Sequence, residues 1–271
     1  MITFVIPAHD EADTVGASIS MATAAAQRGD RVLVVDSAST DGTADAARAA
    51  GVEVYAGPLG KGGAMRVGVD ASDTEWIVFL DADARSAERN IAADLAGRAR
   101  RNEADQIVGD FHDGLDAVLT LTDGFYGTLV PALFPEVAGA FGSKALTGFR
   151  AVRRSYLLDL FPRDYGVESH LNIEITMTGG NTEVHHVGAF TGKSKTNHAR
   201  CFEVTGAIFD CAVRHGRLLP RQRPAWEAWA ADLYKVTGRW TPDMPQDEYR
   251  EQLFATASRP LPATGVPDLV S

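Results

Sequence analysis

The chain has 271 residues, which suits one large domain or two small ones, and its 45% hydrophobic and 23% charged fractions are ordinary for a globular protein. Its 36 acidic and 26 basic residues give a net charge of −10, which argues against a general binder of nucleic acid or anionic membranes. No apolar run approaches the roughly 20 residues of a transmembrane helix, so no stable membrane insertion is expected.

The first 85 residues or so alternate short apolar runs with Ala-rich polar stretches. The apolar runs are rich in β-branched or aromatic residues, as buried strands are, and comprise Ile2–Pro7, Arg31–Asp36, Val52–Ala56 and Trp76–Leu80. The stretches between them suit helices and comprise Glu11–Arg28, Asp41–Ala50 and Lys61–Ala71. This alternation predicts an α/β fold, with a mainly parallel central sheet flanked by helices.

The chain from about Ile107 to Phe141 is apolar but interrupted by glycine and proline. We interpret it as a buried helix–loop–helix beneath the sheet, with a subunit interface or a mobile acceptor loop as alternatives. Phe125–Phe141, together with Trp226 and Trp229, could form a homodimer interface or be buried within one chain. The later patterns predict one strand, at Thr182–Val187, and four helices, at Ser155–Leu160, Ser169–Met177, Phe202–His215 and Ala225–Val236.

Prolines punctuate the chain beyond Gly216, and we expect a small helical extension whose last dozen residues are disordered. The two cysteines, Cys201 and Cys211, are expected to make neither a disulfide scaffold nor a zinc site. A reducing cytoplasm is therefore the predicted location. The first residues lack the pattern of a signal peptide, so we interpret them as mature protein.

Each of the first four predicted strands ends in polar or glycine-rich residues, and ligands of open α/β sheets bind beyond such strand ends. The strongest signal is Asp81-Ala82-Asp83, because two carboxylates one residue apart after an apolar strand can hold Mg²⁺ or Mn²⁺ through oxygen. Such an ion would neutralise the charge of a departing diphosphate. The alternative is a solvated acidic turn.

The motif Gly60-Lys61-Gly62-Gly63 opens a predicted helix, so its backbone N–H groups and the lysine ammonium would face an anion. A plain glycine-rich turn explains the same residues. At the end of the second strand, Asp36 and the hydroxyl of Ser37 suit hydrogen bonding to a base or ribose, and helix capping is the alternative.

In chain order, the segments IPAHDEADTVG, VVDSASTDGT, GKGGA and FLDAD resemble the GT-A glycosyltransferases of the family 2 kind, which bind a nucleotide sugar on one Rossmann-like sheet. The chain is most similar to the glucosyl-3-phosphoglycerate synthase type, which has a GKG loop and a later motif that stands here as Tyr165-Gly166-Val167-Glu168. The resemblance covers about residues 2–215. It implies a nucleotide-sugar-binding half at 1–110 and an acceptor-binding half at 111–215, followed by the extension at 216–271.

The resemblance also implies a donor site. It places the nucleoside against Pro7, Ala8 and Glu11, and it brings Lys61 to the base and phosphates. Together with the strand-end argument, the expected donor-binding residues are Pro7, Ala8, Glu11, Asp36, Ser37, Gly60, Lys61, Asp81 and Ala82.

In that family a downstream histidine completes the metal shell formed by the pair that matches Asp81 and Asp83. An alignment with one gap matches His198 to this histidine ligand, whereas an ungapped alignment puts Gly192 at the same position. His185 and His186 are the alternative candidates for the third metal ligand. A cationic cluster beside His198 either lies in solvent or binds the diphosphate or an anionic acceptor. This cluster consists of Lys193, Lys195 and Arg200.

The acceptor side departs from the family pattern. The family's Gly-Arg-Val-Thr-Glu run corresponds here to residues 119–123, where only the threonine is retained, as Thr122. The family's Ser-Gly-Glu-Tyr segment is replaced here by Thr147-Gly148-Phe149-Arg150. We therefore expect an acceptor other than phosphoglycerate, although Arg150 could preserve anion binding. Glu168 would face the acceptor and accept a hydrogen bond from its hydroxyl, with a structural N-cap role as the alternative.

These observations predict a metal-dependent glycosyltransferase that moves a hexose from a nucleoside diphosphate sugar to a small polar acceptor, with Lys61, Asp83 and Glu168 in the reaction. UDP is the favoured nucleotide and GDP is compatible. The resemblance suggests retention at the anomeric carbon, whereas inversion would need a general base, for which Glu168 is available. The alternatives are a sugar-phosphate nucleotidyltransferase and a noncatalytic nucleotide-sugar-binding protein.

Overall fold

Seven strands form one sheet in this structure, a computed structural model that describes residues 1–84, 89–112, 120–159, 161–189, 199–239 and 244–265. The strands are β1 (Ile2–Ala8), β2 (Arg31–Ser37), β3 (Glu53–Gly57), β4 (Trp76–Phe79), β5 (Gln106–His112), β6 (Arg150–Arg153) and β7 (Thr182–Ala189). Their order across the sheet is β3-β2-β1-β4-β6-β5-β7. Of these strands, β6 runs antiparallel to both of its neighbours, and the other pairs are parallel. The expected mainly parallel sheet is confirmed.

The helices of the described residues flank the sheet and extend beyond it. They are α1 (Val15–Ala25), α2 (Thr43–Ala49), α3 (Lys61–Asp70), α4 (Ile91–Arg101), α5 (Gly127–Leu133), α6 (Val167–Met177), α7 (Ala199–Arg214), α8 (Arg223–Thr237) and α9 (Gln246–Ala257). A π-helix at Thr120–Tyr126 precedes α5, and short 3₁₀ turns lie at Arg154–Leu157 and Pro220–Gln222.

Alternate residues of the parallel strands face opposite helical layers, as the period of two requires. In β1, Phe4 lies in a core with α1 and α4, whereas Val5 lies in a core with α3 and α6. Both side chains are fully buried, which explains why these strands read as continuous apolar runs. The centre of the sheet is thus covered on both faces, so polar side chains that could meet a ligand are sought at the strand ends.

Two strands were not predicted from the sequence. The expected helix–loop–helix from Ile107 begins instead with β5, and the predicted helix at Ser155–Leu160 is only the 3₁₀ turn, directly after β6. The β5 strand contains Gly109, where a Cβ would lie 3.0 Å from the Cβ of Phe149 and 3.1 Å from its carbonyl oxygen. A glycine that reads as a strand breaker is therefore required by the close approach of the neighbouring chain.

The apolar segment Phe125–Phe141 is buried within the chain, not displayed as a subunit interface. Its large side chains form one core with α7, α8 and α9, and this core also contains Trp226 and Trp229, which are at most 7% exposed. The structure therefore agrees with the alternative of burial within one chain for these side chains. The C-terminal extension contributes α8, as expected, and also α9, which was not predicted.

Part of the predicted disordered tail packs on α8. Trp226 Nε1 donates a hydrogen bond to the carbonyl oxygen of Ala263 (3.3 Å), so residues 260–265 lie against the helix. The expectation of disorder is wrong for this part, and residues 266–271 lie outside the described residues. Within the described ranges, no helix is both long and apolar enough to cross a membrane.

Candidate active site

The loops that follow β1 and β2 are tied to each other at the carboxyl edge of the sheet. The backbone N–H of Asp10 donates to Oγ of Ser39 (3.0 Å), and the backbone N–H of Thr40 donates to Oδ1 of Asp10 (2.8 Å). Asp10 and Ala38 adopt left-handed backbone conformations, with φ of 53° and 56°. Such conformations are costly for residues other than glycine and cluster at ligand-binding sites, where the surrounding structure fixes them.

A cavity of about 600 Å³ opens where β1, β2 and β4 end. The residues predicted from the sequence that line it are Pro7, Ala8, Glu11, Ser37, Gly60, Lys61, Asp81, Ala82, Asp83 and Arg200. The convergence of strand ends on one crevice is therefore confirmed. The lining residues that were not predicted are His9, Leu59, Ala64, Asp164, Tyr165 and Glu203.

Lys61 joins two acidic side chains that come from distant parts of the chain. Its Nζ lies 2.8 Å from Oδ1 of Asp81, after β4, and 2.6 Å from Oε1 of Glu168, in the first turn of α6. Burial by itself would lower the pKa of Lys61, but the two carboxylates outweigh it and raise that pKa above its ordinary value. Lys61 is therefore a permanent cation whose side chain is only 15% exposed.

The glycine-rich motif at residues 60–63 does not present its glycine amides to the cavity. The N–H groups of Gly62 and Gly63 donate to the carbonyl oxygens of Asp164 (3.2 Å) and Arg163 (2.7 Å). A Cβ at Gly62 would overlap the carbonyl oxygen of Pro162. The expected anion cradle is wrong for these amides, because the glycines instead let residues 162–164 pack directly on the start of α3.

Ser37 holds the turn that leads into this motif. Its hydroxyl donates to the carbonyl oxygen of Pro58 (2.7 Å) and accepts a bond from the N–H of Gly60 (3.1 Å). The hydroxyl was expected to bind a base or ribose, but both of these bonds are to the protein. Asp36 does not line the cavity, and its Oδ1 accepts a bond from the N–H of Ser39 (3.3 Å), so its expected contact with the donor is not supported.

Gly148 packs against the ion pair of Lys61 and Asp81. A Cβ at this position would overlap both the Asp81 carboxylate and the Lys61 ammonium. Thr147, also an expected acceptor residue, is buried, and its hydroxyl accepts a bond from the N–H of Phe149 (3.1 Å). These two residues therefore shape the wall behind Lys61.

Glu168 lies beneath Lys61, not on the cavity wall. Its side chain is 4% exposed and it is not among the residues that line the cavity. The expectation that Glu168 faces the acceptor is therefore not supported, because the Lys61 ammonium stands between its carboxylate and the open space. Its contact with Lys61 makes it a positioning residue.

Asp81 and Asp83 fit a divalent metal ion. Both line the same cavity, and the carboxylate of Asp81 is 30% exposed, so its oxygens are accessible from the open side. Carboxylate oxygens are the ligands that Mg²⁺ and Mn²⁺ prefer. The third expected ligand, His198, lies outside the described residues, as do Gly192 and the two lysines of the predicted cationic cluster, Lys193 and Lys195.

The two alternative histidines do not lie at the cavity. Both are in β7, the strand at the opposite edge of the sheet from β3, and neither lines the cavity. His185 Nδ1 accepts a hydrogen bond from Nε of Arg98 (3.3 Å), so this side chain belongs to the pairing of α4 with the sheet edge. The hypothesis that either histidine serves as the third metal ligand is wrong.

Arg200 and Tyr165 stack on each other and both line the cavity. The Arg200 guanidinium stacks on the Tyr165 ring at 3.9 Å from the centroid, and its Nη2 donates to the Tyr165 hydroxyl (3.1 Å). One turn along α7, Glu203 Oε2 accepts a bond from the backbone N–H of Tyr165 (3.2 Å), and burial raises the pKa of Glu203. Tyr165 and Glu203 could have been predicted as site residues from the sequence. Tyr165 begins the Tyr-Gly-Val-Glu motif, and Glu203 follows Arg200 by three residues, which is about one helical turn.

Arg150, an expected acceptor-binding residue, does not line the cavity. Its side chain is fully buried, and it donates to the carbonyl oxygen of Thr147 (2.7 Å from Nη2) and to Oδ1 of Asn172 (3.1 Å from Nη1). Burial lowers its pKa, and the nearby Glu168 carboxylate acts in the opposite direction. In the fold, Arg150 therefore supports the wall from inside.

Thr122 lies at a different cavity. This second cavity, of about 350 Å³, is bounded by the π-helix, α5 and Phe254 of α9. The expected grouping of Thr122 with Gly148 and Arg200 at one acceptor site is therefore wrong.

Comparison with known proteins places these features in context. The family model for glycosyl transferase family 2 matches residues 3–154. Glycosyltransferase AglJ of Haloferax volcanii is 28% identical over 191 residues, a match that covers 68% of this chain and 61% of that protein. The match thus spans less than two thirds of that relative.

Solved structures extend the likeness to the fold. Glucosyl-3-phosphoglycerate synthase from Mycobacterium tuberculosis, in complex with Mn²⁺, UDP and glucosyl-3-phosphoglycerate, is 24% identical with a TM-score of 0.71, covering 78% of this chain and 80% of that one. A structure described as a mycobacterial protein is 25% identical with a TM-score of 0.71, covering 78% of this chain and 74% of that one. These likenesses confirm the predicted GT-A fold.

Proposed function

The chain belongs to glycosyl transferase family 2, and on that premise we propose that it moves a hexose from a nucleoside diphosphate sugar to a small polar acceptor with the aid of a divalent metal ion. The observation on which this depends is the position of Asp81 and Asp83. They follow β4 and face the same cavity as the ends of β1 and β2 and the Lys61 ammonium.

Asp81 and Asp83 are the residues that would hold Mg²⁺ or Mn²⁺, with His198 proposed as the third ligand. A metal ion bound there supplies positive charge for the diphosphate of the donor. Support comes from the solved relatives, which were crystallised with Mn²⁺ and UDP-glucose, or with Mg²⁺ and UDP. For the same reason we favour UDP as the nucleotide of the donor.

The chain's own side chains prepare the cavity for an anionic donor. Lys61 neutralises the Asp81 carboxylate on one oxygen and is itself held in place by Glu168. Arg200, stacked on Tyr165, adds a second cation to the lining of the same cavity. A preorganised pair of cations stabilises a diphosphate without the cost of reorienting flexible side chains during the reaction.

The acceptor is proposed to be small and polar, and different from phosphoglycerate. The reason is that Arg150, the one arginine gained next to the altered family segment, is enclosed and bonded to Thr147 and Asn172. Retention at the anomeric carbon is proposed from the resemblance, and Glu168 is not proposed as a general base, because Lys61 separates it from the cavity. Both cysteines are free and buried, in keeping with the proposed cytoplasmic location.

The test is turnover of candidate donors with and without metal. The protein is incubated with UDP-glucose, GDP-linked and other UDP-linked hexoses, Mn²⁺, and a panel of small hydroxylated acceptors, and the released nucleotide is identified by chromatography. We expect nucleoside diphosphate and a glycosylated acceptor, and we expect chelator to stop the reaction. Release of pyrophosphate from a sugar phosphate and a nucleoside triphosphate would identify a nucleotidyltransferase instead.

A pair of variants connects the result to the site. Asp83→Ala should abolish both transfer and metal-dependent nucleotide binding. Asp73→Ala removes a carboxylate that is 90% exposed, at the amino edge of the sheet, and should leave both unchanged. Full activity of Asp83→Ala in the presence of chelator would overturn the proposal.

A further inference from the structure

A second group of metal-binding side chains lies between α6 and α7, away from the cavity. His170 and Glu174 are one helical turn apart on α6, and Cys211 lies on the facing side of α7. Residues separated by four positions project from the same face of a helix, so both α6 side chains point at the same partner helix. The ligand atoms of the three residues lie within 4.8 Å of one another.

The geometry of the group is close to that of a bound metal site. His170 Nδ1 lies 3.5 Å from Cys211 Sγ, and ligand atoms of a tetrahedral zinc site are separated by about 3.5 Å, given bond lengths of about 2.0 to 2.3 Å. His170 is 6% exposed and Cys211 is fully buried, so the helix packing already fixes both. A carboxylate oxygen of Glu174 lies within 4.8 Å of both of these ligand atoms.

We propose that His170, Glu174 and Cys211 bind a zinc ion. An imidazole nitrogen, a thiolate sulfur and a carboxylate oxygen form a ligand set that suits Zn²⁺, whereas Mg²⁺ and Mn²⁺ are hard ions that do not favour a thiolate ligand. Binding displaces the proton of the Cys211 thiol to solvent, and the thiolate becomes the ligand. The sequence analysis expected no zinc site at either cysteine, because zinc motifs are recognised from paired cysteines and this chain has a single cysteine in the group.

Two neighbouring side chains orient the carboxylate of Glu174. Arg214 Nη1 donates to Oε1 (2.9 Å), and His215 Nε2 lies 3.1 Å from Oε2. Outer groups that hold a ligand in one orientation are a regular part of metal sites. Arg214 is the last residue of α7 and His215 follows it directly, so α7 and the turn after it supply both a ligand and the groups that position the ligand of α6.

The site would join the two helices that reach the cavity. The first turn of α6 contains Glu168, which positions Lys61, and the first turn of α7 contains Arg200. A metal ion bound to folded protein and not to unfolded protein stabilises the fold by mass action, so zinc would stabilise this helix pair independently of any donor at the cavity.

Cobalt replaces zinc in the experiment, because a thiolate bound to Co²⁺ gives a near-ultraviolet charge-transfer band. The full chain is titrated with Co²⁺ in the presence of excess Mg²⁺, which occupies the carboxylates of Asp81 and Asp83. These two residues offer oxygen ligands only, so the charge-transfer band reports on a cysteine and not on the proposed donor site. We expect the band to saturate at one equivalent and to disappear when one equivalent of Zn²⁺ is added.

The two cysteines provide a matched control. Cys211→Ser should abolish the band, whereas Cys201→Ser, which alters the other buried cysteine of α7, should preserve it. Absence of the band in the unsubstituted protein, or its loss in Cys201→Ser with retention in Cys211→Ser, would overturn the proposal. If Cys211→Ser does not fold, the test is Zn²⁺ protection of Cys211 from alkylation in the unsubstituted protein, measured by mass spectrometry of its peptide, and no difference with Zn²⁺ rejects the site.

Discussion

The ammonium of Lys61 lies 2.6 Å from Oε1 of Glu168, although the two residues are more than 100 positions apart. Their side chains are 15% and 4% exposed, so neither charge is well solvated if the other is removed. Removal of Lys61 is costly because the buried Glu168 carboxylate then loses its ion-pair partner. This contact joins the first turn of α3 to the first turn of α6.

We therefore expect Lys61→Met to lower the free energy of unfolding by about 2 to 4 kcal/mol, measured by urea denaturation. The double variant with Glu168→Gln should recover part of this loss, because the unpaired carboxylate is then neutral. Lys235→Met is the control, since its pair with Asp232 is 69% and 37% exposed and should contribute little to the free energy of unfolding. Equal effects of Lys61→Met and Lys235→Met would show that the buried pair does not stabilise the fold.

Gly148 provides a prediction for the donor site. Gly148→Ala places a Cβ into the space of the Asp81 carboxylate and the Lys61 ammonium, both of which are the movable ends of side chains. The fold should therefore survive while the pair is displaced. We expect the affinity for UDP in the presence of Mn²⁺ to fall about tenfold, which corresponds to about 1.4 kcal/mol, with a small change in melting temperature.

The control for this substitution is Gly16→Ala in α1, where nothing lies within 4 Å of the new Cβ. Calorimetric titration of UDP into each variant, with Mn²⁺ present, gives the comparison. Unchanged affinity in Gly148→Ala would mean that the position of the Asp81 carboxylate is not important for metal-assisted nucleotide binding.

Gly62 distinguishes the packing role of the glycine-rich motif from the anion cradle expected from sequence. A Cβ at this position would overlap the backbone carbonyl of Pro162, which cannot move as a side chain can. We expect Gly62→Ala to lower the free energy of unfolding by about 1 to 3 kcal/mol, as overpacking does. An anion cradle predicts the reverse pattern, with weaker nucleotide binding and unchanged stability.

Gly97→Ala is the matched control for Gly62→Ala. Gly97 lies inside α4 with nothing within 4 Å of a new Cβ, so alanine should stabilise the helix by up to about 1 kcal/mol. Thermal and urea unfolding of the two variants should therefore move in opposite directions.

The parts of the fold that were predictable are those in which one strand is a continuous apolar run. The strands β1, β2 and β4 are buried along most of their length, so local composition alone indicates them, and β3, a half-buried edge strand, is indicated by its β-branched and aromatic residues. By contrast, β6 has four residues and begins with the charged Arg150, whose burial depends on carbonyl and amide oxygens from Thr147 and Asn172. One of these hydrogen-bond partners, Asn172, is 22 positions away in the sequence, so the local pattern around β6 cannot indicate that Arg150 is buried.

The same limit applies to the site. Asp81 and Asp83 were predictable because a strand end fixes their location in any open sheet of this kind. The glycine motif at 60–63 was misassigned because its partner, the segment at residues 162–164, is about 100 residues distant in sequence. The zinc group was missed for a related reason, since its ligands come from two helices and only the fold brings Cys211 to His170.

Arg150 gives the last test, because a structural role and an acceptor-binding role predict different measurements. The guanidinium donates five hydrogen bonds that include the carbonyl oxygen of Thr147 and the side-chain oxygens of Gln106 and Asn172. Arg150→Met leaves these buried acceptors unpaired, and we expect the free energy of unfolding to fall by about 3 kcal/mol. Arg150→Lys should recover little, because one ammonium cannot reproduce the planar set of donors.

If Arg150 acts only through the fold, the KM for the acceptor should be unchanged when Arg150→Met is assayed well below its melting temperature. Arg48→Met serves as the control, since the pair of Arg48 with Asp45 is exposed and its loss should change stability by less than about 1 kcal/mol. A raised KM for the acceptor with unchanged stability would instead place Arg150 in contact with the acceptor. The expected result follows from its complete burial, because a side chain enclosed on all sides by residues 106, 145–147 and 172 can influence an acceptor only by supporting the wall that the acceptor touches.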